Sequence, residues 1–240
     1  MNTNVLYYME YNKEMQISLA NGNTKLGKGI YTYNLLPGDK PISSKTKGQL
    51  TNVPGTCAGC CDGCIGACYA MRDCRFHFNS VIPALAKNTL IMRHDIDGMF
   101  GQLKGRLVKH KAKVCRFHSA GELPHYNYLL HMVKLAVEMP DVQFYCYTKR
   151  FNLIQKYIEE YKVFPKNLVI NISVWKGNDK GYDFRNLNKF VYDDHSDPEV
   201  MKLPHCPAVN AKGRSTGIKC VDCGLCFKEN GGRILAVHAH

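Results

Sequence analysis

The chain's cysteines are the residues most able to do chemistry. Six of the twelve lie between positions 57 and 74, in CAGCCDGCIGACYAMRDC: Cys57, Cys60, Cys61, Cys64, Cys68 and Cys74. Four more, Cys206, Cys220, Cys223 and Cys226, fall in CPAVNAKGRSTGIKCVDCGLC near the end. Thiols at this density pair as disulfides, hold zinc or hold an iron–sulfur cluster. Disulfides need an oxidising compartment. The opening MNTNVLYYMEYNKEM has no basic flank followed by a long apolar stretch, so no signal peptide is read and a cytoplasmic protein is expected. Thiols stay reduced there, which weakens the disulfide reading and favours metal.

The tail group is the more specific of the two. Cys220, Cys223 and Cys226 read C-x2-C-x2-C, and Cys206 is followed by Pro207. A cubane cluster is compact, so a loop that wraps it presents thiolates two residues apart, and a triplet with a remote Cys-Pro is the ferredoxin-type ligand set. Here the Cys-Pro precedes the triplet. Four thiolates also suit tetrahedral zinc, although zinc sites more often pair two C-x2-C knuckles across a gap. The expectation is a 4Fe-4S cluster on Cys206, Cys220, Cys223 and Cys226, with zinc as the alternative.

The first run holds more thiols than one site needs. Cys57, Cys61 and Cys64 read C-x3-C-x2-C, which resembles the spacing of radical S-adenosylmethionine enzymes. Cys57, Cys64 and Cys68 read C-x6-C-x3-C. Gly59, Gly63 and Gly66 let the backbone turn close to a cluster. The expected ligands of a second 4Fe-4S cluster are drawn from Cys57, Cys61, Cys64 and Cys68. Three protein thiolates would leave one iron open to a small molecule such as S-adenosylmethionine, and a fourth cysteine would close the site.

The elements that must position these thiols can be read from periodicity. IYTYNL, from Ile30, alternates as a strand, and residues 38–56 read as a loop leading into the cysteines. NSVIPALAKNTLIMR reads as a helix with Pro83 near its start. Met99, Phe100, Leu103 and Leu107 share one helical face. From 112 to 175 the pattern is β-α-β-α-β: KVCRFH, a helix with Tyr126, Leu129, Leu130, Val133, Ala136 and Val137 at helical spacing, VQFYCYTK, a helix bearing Leu153, Ile154, Tyr157, Ile158 and Tyr161, and NLVINISVW. Connections this long argue a parallel sheet. Residues 176–205 read as a polar loop with one short helix. His238 and His240 read as a disordered end.

The expected fold is therefore a single α/β domain over 1–240. It is a parallel sheet with covering helices, in a partial or irregular (β/α) barrel arrangement. A cysteine-rich loop at 57–74 and a cysteine-rich segment at 206–231 are added to it. Such sheets carry their chemistry at the strands' carboxyl ends. His118 lies near the end of KVCRFH and shares a face with Arg116. Gly121 and Glu122 follow in the turn, resembling a degraded form of the Gly-Gly-Glu segment that receives the cofactor's amino group in radical S-adenosylmethionine enzymes. Lys149 ends the next strand, where it would hold a carboxylate or phosphate or else reach solvent. His118, Glu122 and Lys149 are the expected catalytic residues, and Gly121 and Glu122 the expected cofactor-binding ones. Asn171 and Ser173 read as lining a cavity or as a hydrogen-bonded core pair. Cys115 and Cys146 read as packing residues.

No run approaches the about 18 apolar residues of a membrane helix, so no membrane partner is expected. The net charge is +12. The densest basic run, KGRLVKHKAKVCR at 104–116, reads as a solvated helix end or as a surface for nucleic acid or another polyanion.

Several stretches together resemble the gene product 88 family of phages and mobile elements. They are KLGKGIYTYNLLPG, TC followed by CIGACYA, VCRFHSAGE, FYCYTKR and CVDCGLC. Members usually show Thr-Cys-Pro, a cysteine, then Cys-Tyr-Ala, so the resemblance makes Cys57, Cys64 and Cys68 the family cysteines. This chain has Ala58 in place of the proline, Gly121-Glu122 where members carry Gly-Asp, and Cys60, Cys61 and Cys74 as extras. The resemblance implies a cluster-binding, barrel-like protein, distantly similar to radical S-adenosylmethionine proteins and acting in the host cytoplasm. The expected function is redox or radical-type chemistry on two 4Fe-4S clusters, fed by an electron donor protein. The alternative is a zinc-stapled nucleic-acid-binding protein.

Overall fold

A computed structural model of the chain describes residues 5–60, 62–175, 178–184, 186–210, 212 and 214–238. In chain order the elements are β1 (Leu19–Asn21), β2 (Ile30–Tyr33), β3 (Pro41–Ser44), β4 (Gly48–Pro54), α1 (Asp62–Gly66), α2 (Tyr69–Phe76), α3 (Phe78–His94), α4 (Ile96–Lys109), β5 (Val114–Phe117), α5 (Tyr126–Glu138), β6 (Gln143–Thr148), α6 (Phe151–Tyr161), β7 (Leu168–Val174), β8 (Asn188–Asp193), α7 (Pro198–Met201), α8 (Cys220–Cys223) and β9 (Ile234–His238). The fold is mixed α/β. A seven-stranded sheet runs β1-β2-β5-β6-β7-β8-β9, and every neighbouring pair from β5 to β9 is parallel. No helix of the described residues is long and apolar enough to cross a membrane.

The chain forms two compact units. One comprises 1–20, 32–111 and 118–131; the other comprises 21–31, 112–117 and 132–240.

In the first unit the segment expected to be a loop, 38–56, is an antiparallel hairpin of β3 and β4. Its apolar residues are sparse, but Ile42, Leu50 and Val53 all turn inward and pack with Leu36, Cys74, Ile82, Leu85 and Ala86. Few buried residues per strand left too little alternation to detect. α3 starts at Phe78, so Pro83 stands inside the helix rather than in its first turn, where it cannot donate to the carbonyl one turn back. Asn88 of α3 ties two extended segments together: its Nδ2 donates to the carbonyls of Ser18 and Asn34, each at 2.9 Å, and its Oδ1 accepts from Ser18 N. α4 is capped by Asp95, which accepts from Gly98 N at 2.8 Å. It buries Met99, Phe100, Leu103 and Leu107, as the spacing predicts.

α5 has the expected position but presents a different face. Tyr128, Leu129, Met132, Leu135 and Ala136 are buried, whereas Val137 is 65% exposed. Tyr128, Met132 and Leu135 follow the i, i+4, i+7 rule just as well as the set first read, and β-branched or aromatic character does not choose between two overlapping stripes.

In the second unit β7, LVINISV, is buried at every position but the half-buried Ser173, as expected of a strand covered on both faces. Leu26, Ile30, Tyr145, Val169 and Phe227 form one core cluster. Two corrections concern the end of the chain. Part of 176–205 is strand β8, whose Asn188, Phe190 and Asp193 point inward, and two of those three are polar, which hid the pattern. His238, read as disordered, is the last residue of β9 and is 6% exposed. His240 lies outside the described residues.

Candidate metal centre

The tail cysteines converge in the second unit. Cys206, Cys220, Cys223 and Cys226 line one pocket with Phe190, Pro207, Ala208, Leu225 and Leu235, enclosing about 300 Å³ of space open to solvent. Backbone hydrogen bonds fix each approach. Cys206 N donates to Ala236 O of β9 at 2.9 Å. Cys220 N and Val221 N donate to Lys25 O and Leu26 O at 3.1 and 3.0 Å. That contact needs Gly27, whose φ is +82° and on which a Cβ would lie 2.7 Å from Val221 Cγ1. α8 then carries Cys220 to Cys223, and Gly224 ends it in the left-handed conformation, φ +71°, turning the chain toward Cys226. From β7, Asn171 donates to Cys226 O at 2.9 Å.

Burial disfavours the thiolates here, and nearby cations and one hydroxyl partly oppose it. Burial pushes the Cys226 thiol up to about 11, while a hydrogen bond from the Tyr147 hydroxyl pulls the other way. Cys220 is also raised by burial and is opposed by Lys25 and Arg116. Burial lowers Lys25, with Cys206, Cys220 and Cys226 favouring its charge. The Arg116 guanidinium lies 4.9 Å from the Tyr147 ring centre and 5.9 Å from that of Tyr145. Arg116 therefore does not join the solvated basic run, whose Lys109 is exposed on α4. Two cations and one hydroxyl donor around four thiols stabilise thiolates and the metal they would hold. Tetrahedral zinc with its Zn–S bonds brings sulfurs to about 3.8 Å of one another, yet no three of these sulfurs lie within 4.8 Å of one another. A cubane bonds each thiolate to a separate iron.

The first cysteine group lies in the first unit. Cys61 lies outside the described residues. Cys57 N donates to Gly38 O at 2.8 Å, and Cys60 N returns to Cys57 O at 3.3 Å. Cys68 caps α2. Burial raises the Cys57 thiol, and the neighbouring Glu122, Cys60 and Cys68 raise it further. Cys57, Cys60, Cys68 and Glu122 thus share one neighbourhood; Cys60, an extra outside the expected ligand set, is among them. Cys57, Cys60, Cys64 and Cys68 are all partly exposed, whereas Cys74 is buried in α2.

The strand-exit turn after β5 is pinned to this group. Thr56 Oγ1 donates to Leu36 O at 3.1 Å and accepts from Glu122 N at 3.0 Å. The Tyr69 hydroxyl donates to Ser119 O. Glu122 is 8% exposed, and its Oε1 accepts from Leu123 N at 2.7 Å. Gly121 has φ +86°, and a Cβ there would lie 2.8 Å from Leu35 Cβ and 2.9 Å from Thr56 Oγ1. It is required by the backbone. His118 is buried at φ +60°, its Nε2 3.0 Å from the Tyr128 hydroxyl. Lys149 is partly buried at the end of β6, in the second unit.

The family model of gene product 88 matches residues 17–229. The chain belongs to the gene product 88 family. No curated protein and no solved structure matches it. The matched span takes in both cysteine groups of this gene product 88 protein and all the stretches on which the resemblance rests. Sequence reasoning missed Lys25 and Tyr147, although both lie in those stretches, in KLGKG and FYCYTKR. Asn171 proves to be the hydrogen-bonded core residue of the two alternatives, donating to Cys146 O and Cys226 O.

Proposed function

We propose that this gene product 88 protein is an iron–sulfur redox protein carrying two 4Fe-4S clusters. The observation that carries the reading is the convergence of Cys206, Cys220, Cys223 and Cys226 on one pocket, a four-thiol set in the C-x2-C-x2-C plus remote Cys-Pro pattern. The cluster supplies one-electron redox chemistry when bound. The chain's own residues do the rest. The four thiolates hold it, Lys25 and Arg116 offset its charge, and the Tyr147 hydroxyl donates to Cys226. Phe190, Leu225 and Leu235 give the pocket an apolar wall, and with the charges they tune the potential.

The first group supports a second cluster on Cys57, Cys64 and Cys68, with Cys60 or Cys61 as the fourth ligand or a small molecule in that place. Glu122 is the carboxylate beside Cys57 and is the residue to bind a cofactor's amino group. An electron donor protein is the partner this chemistry requires.

The test is metal and sulfide analysis of anaerobically prepared protein with its visible spectrum. Brown protein with broad visible absorbance, losing about half its iron in Cys223→Ser as one of two equal clusters would, supports the reading. Colourless protein with zinc in the cysteine sites, or iron unchanged in Cys223→Ser, overturns it.

A further inference from the structure

A second kind of donor set stands at the carboxyl edge of the parallel sheet. Asp193 ends β8 and His238 ends β9, and the two are paired in register across the parallel strands. His205 joins the same edge through a parallel bridge to Ala236. Two residues after Asp193, the chain turns at His195, which adopts φ +64°, a left-handed conformation uncommon for a residue with a side chain.

These residues meet at one atom. Asp193 Oδ2 lies 3.0 Å from His205 Nε2, 3.3 Å from His238 Nδ1 and 3.9 Å from His195 Nδ1. The carboxylate's other oxygen is already occupied by His195 N at 2.7 Å. The rings are stacked beside one another, His205 and His238 with centroids 4.6 Å apart and His195 and His238 4.8 Å apart. The Asp193 side chain is 1% exposed and that of His238 6%, whereas those of His205 and His195 are 30% and 50% exposed. The centre is dry and one side opens to solvent.

A single carboxylate oxygen offers two lone pairs, and three imidazoles directed at Oδ2 exceed them. Were all the rings protonated, they would repel one another at these separations. A divalent cation removes the conflict, since neutral imidazoles and a carboxylate are its ordinary ligands. The spacing fits. Metal–ligand bonds of about 2.1 Å in tetrahedral geometry place ligand atoms about 3.4 Å apart. The Asp193, His205 and His238 ligand atoms all lie within 4.8 Å of one another, and among the described residues they are the set of three that does so.

We propose that Asp193, His205 and His238, with His195 as the outer nitrogen, form a binding site for a divalent transition-metal ion of the zinc class. It is separate from the cysteine sites, and an exposed imidazole at its mouth leaves the ion reachable from solvent. A carboxylate with two or three imidazoles selects against the thiophilic chemistry of the tail cysteines and suits an ion that binds water.

The test uses full-length protein whose cysteine sites already hold their own metal, whichever metal that is. Added zinc should be retained at one further equivalent per chain. Asp193→Asn should lower that affinity at least about 100-fold, since even partners behind the ligands are worth about 10–100-fold, while the metal on the cysteines stays constant. A folded Asp193→Asn variant that keeps the wild-type zinc affinity overturns the proposal, as does the absence of any further equivalent in wild type. Cobalt supplies a readout that needs no variant. Uptake with visible ligand-field bands and no sulfur charge-transfer band supports the site, and uptake with a sulfur band overturns it. Iron analysis reports on the cluster reading separately, so either proposal can fail alone.

Discussion

Asn171, in the middle of the parallel sheet, donates through Nδ2 to the backbone carbonyl of Cys226 at 2.9 Å and to that of Cys146 at 3.0 Å. One side chain thus ties the cysteine-bearing tail to a strand next to its own. Asn188 extends the link, donating to Asn171 Oδ1 at 3.3 Å and to Glu229 O at 2.9 Å. Two buried asparagines therefore replace the ladder hydrogen bonds that an irregular tail cannot make with a sheet.

Asn171→Ala should destabilise the protein by about 1–3 kcal/mol, because it removes the donor shared by the buried Cys146 carbonyl and the part-buried Cys226 carbonyl. Denaturant unfolding would measure this. A midpoint equal to wild type would mean that the tail holds itself in place without the sheet.

This dependence explains why the candidate site was only partly legible in the sequence. The spacing of Cys220, Cys223 and Cys226 is local, so it is visible in the chain itself. What surrounds the thiols is not local: Lys25, Arg116 and Tyr147 come from three distant segments. Their convergence depends on strand order, which periodicity does not encode. The parallel core was legible because β5, β6 and β7 are apolar runs separated by amphipathic helices. β8 was not, because Asn188 and Asp193 are inward-facing polar residues whose partners, Asn171 and the histidines, lie elsewhere in the chain. The hairpin of β3 and β4 escaped for a different reason, since three inward residues on two short strands make a weak alternation.

Tyr147→Phe should raise the Cys226 thiol further. Burial holds it at about 11, and the Tyr147 hydroxyl is the group favouring its thiolate most. In metal-free, reduced protein, the pH dependence of alkylation at Cys226, followed by mass spectrometry, should move to higher pH. A profile that does not move would show that the hydroxyl makes no effective bond to sulfur.

The buried thiols also set an alkaline limit on the metal-free chain. Cys226 and Cys74, raised to about 11 and 12, keep their protons in the folded state above pH 9, where the unfolded chain loses them. The unfolded state then binds fewer protons, so stability is full below about pH 9 and falls as pH rises toward those values. Cys74→Ala should flatten part of the fall between pH 9 and 12. The same slope in the variant would remove Cys74 from the account.

Gly121 and Glu122 are adjacent yet should behave differently. Gly121→Ala forces a Cβ against Leu35 and Thr56 at a positive φ and should cost about 2–4 kcal/mol through strain and overpacking. Because Thr56 Oγ1 holds Glu122 N, the carboxylate would be displaced as well. Glu122→Gln keeps the backbone and the volume, so it should leave the melting temperature close to wild type. A large loss of stability in Glu122→Gln would make the carboxylate a structural anchor.

The six thiols of 57–74 should divide by burial. Cys74 is fully buried on α2, among Leu36, Ile82 and Leu85, and its burial raises it to about 12, which is the environment of a packing residue. Cys57, Cys60, Cys64 and Cys68 are partly exposed, and the charges of Cys60 and Cys68 reach Cys57. A metal on this group draws on those thiols. Cys57→Ser, Cys60→Ser and Cys68→Ser should each lower the metal content of the first site and leave the tail site loaded. Cys74→Ser should keep the full metal content while lowering stability, because it buries a hydroxyl among apolar side chains. Metal analysis of the four variants beside their unfolding midpoints separates the two roles. Full metal content in Cys60→Ser would return the fourth position to Cys61 or to a small molecule at an open iron, and a reduced-state electron paramagnetic resonance signal that shifts on adding S-adenosylmethionine would choose the latter.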